Sequence, residues 1–152
     1  MISDLFSTTV LVGILASGIR LATPYLYAAI GEAFGQKSGV LNLGVEGQML
    51  LGAFAAFYIS FTTGSLWLGV LAAMVVGALM GLAMAYVTVN LNAEQGISGI
   101  GFYLFGLGMS DLLFQKLLGT VETVRGFPKI YIPVLSDIPG IGEIFFRQNL
   151  LV

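Results

Sequence analysis

The sequence predicts an all-α fold, a polytopic transmembrane helical bundle of four helices plus the start of a fifth. Apolar residues make up 57% of the 152 and charged residues only 9%, where soluble domains carry about 25% charged residues. The apolar residues fall in long runs, each near the roughly 20 residues that a bilayer-spanning helix needs. Short turns rich in glycine or polar residues separate the runs, too short for anything but helical hairpins.

The first run covers about 6–30 and contains Arg20 and Thr23-Pro24. A proline inside a helix removes one backbone bond, so a bend is expected near Pro24. The N-terminus has no positive region and carries Asp4, so this run reads as a retained membrane helix and not as a cleaved signal peptide. A polar break, Gly31 to Ser38, follows. The second run covers about 39–61 and ends at the turn Thr62-Thr-Gly-Ser65. The third, 66–91, carries no charge; Asn92-Ala-Glu-Gln95 turns the chain into the fourth, 96–118. Residues 120–147 hold Glu122, Arg125, Lys129, Asp137, Glu143 and Arg147 with prolines at 128, 133 and 139, the composition of an extramembrane loop. Asn149-Leu-Leu-Val152 turns apolar again, as a fifth helix would begin. The whole, 1–152, reads as one membrane domain, truncated in appearance.

The chemistry available is narrow. With no cysteine and no histidine, the chain lacks a thiolate, the usual general base and the commonest metal ligands. No catalytic residue, metal ligand or cofactor site stands out, and an enzyme is not expected. The formal net charge of −2 leaves no basic patch for nucleic acid.

The polar residues inside the apolar runs are the candidate functional ones. Ser38-Gly-Val-Leu-Asn-Leu-Gly-Val-Glu-Gly-Gln48 sets Asn42 and Glu46 in a membrane segment, with glycines at 39, 44 and 47 that point to close backbone approach or a broken helix. A carboxylate in hydrocarbon costs several kcal/mol unless it is paired, protonated or facing water. On a continuous helix Asn42 and Glu46, four apart, would share a face. They would then line a conduit or form a hydrogen-bonded pivot at a helix break. Equally, Glu46 could sit at a helix N-terminus, where the helix dipole favours an acid and no transport role is needed. Arg20 either pairs with Glu46 or Glu32 or snorkels from a shallow depth.

Gly69, Ala73, Gly77, Gly81 and Ala85 recur at every fourth position of the third run. This stripe, with its Gly77-x-x-x-Gly81 core, suits close contact with another helix, although small residues are common in membrane helices in any case. Asp111 and Lys116 lie close to a helix end and read as interfacial. Phe54, Phe57, Tyr58, Phe61 and Trp67 cluster about the Thr62–Ser65 turn as an aromatic belt.

Taken together, the motifs resemble those of permease subunits of bacterial ABC importers for simple sugars and nucleosides, in the wider group of ribose and branched-chain amino-acid permeases. The resemblance rests on Ser38 to Gly47, and upstream on Arg20-Leu-Ala-Thr-Pro24 and Gly31-Glu32. Downstream it rests on Ala93-Glu-Gln-Gly-Ile-Ser98, Gly126-Phe-Pro128, Ile132-Pro133 and Leu135-Ser-Asp-Ile-Pro139. It implies a multi-pass protein of the cell membrane that works with a separate ABC ATPase, a second permease subunit and an extracytoplasmic substrate-binding lipoprotein. No nucleoside-triphosphate phosphate loop occurs in the chain, and no stretch matches the family's ATPase-coupling loop, so an N-terminal half is implied. The resemblance also implies an external N-terminus and an external 120–147 loop, whereas a bare count of Lys and Arg would put that loop in the cytoplasm. The rival expectation is a membrane fragment that packs with partner helices through its small-residue stripe and moves nothing.

Overall fold

In the computed structural model the described residues are 7–120, 123, 124, 126–131, 133, 136, 142–146 and 148–152. Asp4, Glu122, Arg125, Ile132, Leu135, Asp137, Ile138, Pro139 and Arg147, and the side chain of Glu143, lie outside them. Among the described residues the order is α1 (Thr8–Lys37), α2 (Val45–Thr63), α3 (Leu66–Ala85) continued by a π turn (Tyr86–Asn90), α4 (Gln95–Leu117) and a second π turn (Gly142–Phe146). Three stretches are long and apolar enough to cross a membrane: Val10–Lys37, Leu66–Asn90 and Gln95–Leu117. α2, 19 residues with Glu46 and Gln48 in its first turn, is not among them.

Two boundaries differ from expectation. α1 runs through Pro24 and on to Lys37, absorbing the polar segment read as a break. The side-chain bond from Gln36 Nε2 to Glu32 Oε1, 3.2 Å long, is the i,i+4 support that lets a helix continue once its apolar residues are spent. α2 starts at Val45, not near residue 39, because Gly39 takes φ +88°, a left-handed conformation that ends the helical path. Asn149–Val152, expected to start a helix, forms turns, with the Leu151 N–H bonded to Asn149 Oδ1 at 3.1 Å.

The chain forms two compact units. The first comprises Met1–Ala29 and Gly126–Val152. Here the buried Gln148 side chain donates to Ile144 O at 2.9 Å and to Ala16 O at 3.3 Å, which ties the C-terminal segment to α1. The Ile130 N–H reaches Gln148 O at 2.9 Å beside an antiparallel bridge from Lys129 to Asn149.

The second unit is Ile30–Arg125, in which α2 packs against both α3 and α4. α2 and α3 join through Gly64 at φ +70°, whose N–H caps Ser60 O at 2.9 Å. Their closest approach is at Gly69, where an added Cβ would meet Ser60 Oγ and stand 2.7 Å from Ala56 O. Further along, an added Cβ at Gly52 would face Ala73 O at 3.7 Å. The buried Thr88 hydroxyl bonds back to Met84 O at 2.9 Å inside the π turn. Glu94 then caps α4, its carboxylate accepting Ile97 N–H at 2.5 Å and Gly96 N–H at 2.9 Å.

Candidate functional site

The candidate site is the non-helical segment between α1 and α2, residues 38–44. At its start Ser38 Oγ donates to Gly35 O at 2.7 Å and Val40 N–H to the same carbonyl at 3.1 Å. Next, the Gln95 carboxamide accepts Leu41 N–H at 2.7 Å and donates to Gly39 O at 3.0 Å. One side chain therefore satisfies a backbone donor and a backbone acceptor that no helix or sheet serves. Glu32 Oε1 accepts Asn42 N–H at 3.0 Å, and Asn42 Oδ1 accepts Gly44 N–H at 2.9 Å, an Asx turn that leads into α2. Backbone groups outside a helix need partners wherever they leave water, and here Glu32, Asn42 and Gln95 supply them.

Beyond the break, α2 and α4 meet backbone to backbone. A Cβ at Gly44 would stand 2.9 Å from Gly99 O, and one at Gly47 2.6 Å from Tyr103 O. One at Gly99 would stand 2.8 Å from Leu43 N, and one at Gly106 would strike the Gly47 carbonyl. The pairings advance together along both chains, so α2 and α4 run parallel here. Past Gly47 and Gly106 the helices leave a groove of about 700 Å³ lined by Leu50, Phe54, Phe57, Ser110, Asp111 and Phe114, among others.

The expected site residues are distributed as follows. Asn42 is half-buried in the break and Glu46 is exposed in the first turn of α2. They do not share a helical face, because the helix begins between them; Asn42 acts at the break and Glu46 occupies the helix N-terminal position. Arg20 is exposed on α1 in the first unit. In the stripe, Gly69 and Ala73 face α2, while nothing lies within 4 Å of a Cβ added at Gly77 or Gly81; Ala85 is half-buried.

Gln95, Gly99 and Gly106 are not singled out by the sequence, and Glu32, considered there as a partner of Arg20, instead accepts the Asn42 N–H. Gly99 and Gly106 are seven apart, two helical turns, and so lie on one face; that spacing was the available signal. Gln95 bonds residues 54 and 56 positions away, which spacing within one helix does not reveal. Glu94, just outside the α4 span, has its carboxyl held below the ordinary range by the Ile97 and then the Gly96 N–H.

Residues 14–147 match the family described as branched-chain amino acid transport system / permease component. Among curated proteins, the chain is 35% identical over 90% of its length to a Haloferax volcanii permease provisionally named for glucose ABC transport, 42% of which is covered. It is 34% identical over 89% of its length to the guanosine ABC transporter permease NupQ of Bacillus subtilis, covering 45% of it. It is 33% identical over 91% of its length to the nucleoside ABC transporter permease NupC of Lactococcus lactis, covering 46%. The chain thus spans a little under half the length of these relatives. No solved structure matches. With three helices able to cross a bilayer, it is a multi-pass protein of the cell membrane. From the match over 14–147, the chain belongs to the branched-chain amino acid transport system permease family.

Proposed function

We propose that the chain forms the N-terminal part of the membrane-spanning permease of an ATP-driven ABC importer for simple sugars or nucleosides. The observation that carries this reading is the broken segment 38–44. Its backbone is held by Glu32 and Gln95, side chains from two different helices, in a chain similar to permeases named for guanosine and nucleosides. Transporters commonly place solute contacts at breaks in their helices, which supports the same role for this segment. Glu46 offers an exposed carboxylate beside it, Asn42 serves as the pivot of the break, and Arg20 is a more distant contributor to the path. The helix-packing role of Gly69, Ala73, Gly77, Gly81 and Ala85 is part of the same proposal, with Gly77 and Gly81 left for helices of the remaining permease.

ATP hydrolysis is the task of a separate ATPase subunit; a second permease subunit and an extracytoplasmic substrate-binding lipoprotein complete the importer. The chain performs no chemistry on its solute. Ligands that bind the outward-open and inward-open states unequally then shift the balance between them.

The test is uptake of labelled guanosine and glucose by cells that express the assembled importer and lack their own uptake systems. ATP-dependent accumulation of either solute is the expected result, reduced at least tenfold by Glu46→Ala and by Asn42→Ala at equal membrane abundance. Wild-type uptake by both variants would remove these residues from the path. No accumulation and no co-purifying ATPase would leave the packing fragment as the better account.

A further inference from the structure

We propose that the groove between α2 and α4 is a solute subsite in which Asp111 accepts hydrogen bonds from a vicinal pair of hydroxyls. This inference rests on the permease reading and assigns a residue to it.

Gly47 and Gly106 bring the two helices together without side chains, and beyond them the groove opens to about 700 Å³. Binding clefts for small molecules run from about 300 to 1,000 Å³, mostly apolar with a few placed polar groups. The groove has that character. Leu50, Phe54, Phe57 and Phe114 supply apolar and aromatic surface, and Ser110 and Asp111 supply the polar end. Asp111 lies within the α4 span and is exposed. It stands close to the C-terminal end of α4, the position the sequence reads as interfacial, and it lines the groove there.

The carboxylate is also oriented. Gln115 Nε2 donates to Asp111 Oδ2 at 2.8 Å from the next helical turn, which leaves Oδ1 and the remaining lone pairs of Oδ2 as acceptors. The Ser110 hydroxyl spends its proton on Leu107 O at 2.9 Å, so its oxygen too can only accept. The polar end therefore accepts hydrogen bonds and donates none. A solute matched to it brings two neighbouring O–H donors on a body whose flat apolar face lies against phenylalanine rings. Glucose and ribonucleosides, the solutes for which the relatives are named, both carry adjacent hydroxyls. Bonds to an ionised acceptor are roughly twice as strong as neutral ones, so the carboxylate is the main determinant.

The experiment is saturation-transfer NMR on the full chain in lipid nanodiscs, with guanosine, 2′,3′-dideoxyguanosine and glucose as probes and no binding protein present. Guanosine should bind about tenfold more tightly than its dideoxy analogue. Asp111→Asn, checked for helix content by circular dichroism, should bring the two affinities together by weakening guanosine alone. Whichever of guanosine and glucose binds more tightly identifies the source of the hydroxyl pair. Equal affinities for guanosine and its dideoxy analogue on the unmodified chain overturn the proposal whether or not the variant folds. So does a ratio that Asp111→Asn leaves unchanged. Either result can coexist with ATP-dependent uptake by the assembled importer, so failure here is distinct from failure of the permease reading.

Discussion

Gln95 accepts the Leu41 N–H at 2.7 Å and, through its amide nitrogen, closes a second bond to Gly39 O at 3.0 Å. A residue at the first turn of α4 thus acts as the missing strand partner for a piece of backbone more than fifty positions earlier. The break owes its shape to this pairing as well as to the left-handed Gly39 and the Asx turn of its own sequence.

Gln95→Ala should therefore loosen the break at a cost of about 0.5–1.5 kcal/mol, the net contribution of a typical hydrogen bond, because both bonds are exposed and water can take the vacated positions. Hydrogen exchange at Leu41 should accelerate, while amides in the middle of α3 stay protected. Gln95→Glu keeps the acceptor for Leu41 but loses the donor to Gly39 O, and should fall between the two.

The glycines divide into two groups that alanine substitution should separate. At Gly47 or Gly106 the new methyl would meet backbone that cannot rotate away, so losses of about 1–3 kcal/mol or more are expected, as for other overpacked sites. At Gly77 there is open space, and alanine should raise helix stability by up to about 1 kcal/mol. Thermal unfolding of the isolated chain in detergent measures both. If Gly77 receives a neighbouring helix in the assembled permease, Gly77→Ala will stabilise the isolated chain yet weaken assembly.

Glu94 gives a pH signature. Its folded-state carboxyl titrates below the ordinary value of 4.5 because the Ile97 and Gly96 N–H groups bond to the carboxylate. A lowered folded-state value means that the contribution is complete above pH 4.5 and fades as pH falls through the lower folded value. The protection of the Gly96 and Ile97 amides, measured against the intrinsic exchange rate at each pH, should fall as the solution is acidified through that window. Glu94→Ala should show the faster exchange at neutral pH and lose the pH step.

In the first unit, Gln148 is buried and donates to two carbonyls, Ile144 O and Ala16 O. Gln148→Leu keeps the volume and removes both bonds, and should cost about 1–3 kcal/mol. Faster proteolysis within residues 126–152 than in the unmodified chain would register the loss; an unchanged cleavage rate would show that the tie to α1 contributes nothing.

Much of this was legible in the sequence. α4, at 95–117, lies within a residue of the expected 96–118, whereas the third run, 66–91, holds α3 only to Ala85 and then the π turn that continues it to Asn90. The polar residues 31–38 read as a break after α1, whereas Glu32 and Gln36 support each other one turn apart and the helix passes through them to Lys37. For the break, glycines 39, 44 and 47 were recognised as an interruption, but Asn42 and Glu46 were also considered on one helical face. A left-handed Gly39 and the Asx turn at Asn42 decide against that face. The Gln95 pairing, and the approach of Gly99 to Leu43 and of Gly106 to Gly47, depend on which helices become neighbours, which the spacing within one run does not tell.

The meeting of Gly47 and Gly106 has a mechanical consequence. Side chains at a helix crossing can repack and let the helices slide, but two bare backbones in contact have nothing to rearrange. If α2 turns about this point as about a fulcrum, everything beyond it on the helix is carried with it. Phe54 lies seven residues beyond Gly47, about 10 Å along the helix at 1.5 Å per residue. A tilt of about 10° at the fulcrum would then move Phe54 by about 2 Å, on the rigid-helix geometry of that same rise. Such a turn would change the width of the groove at Asp111.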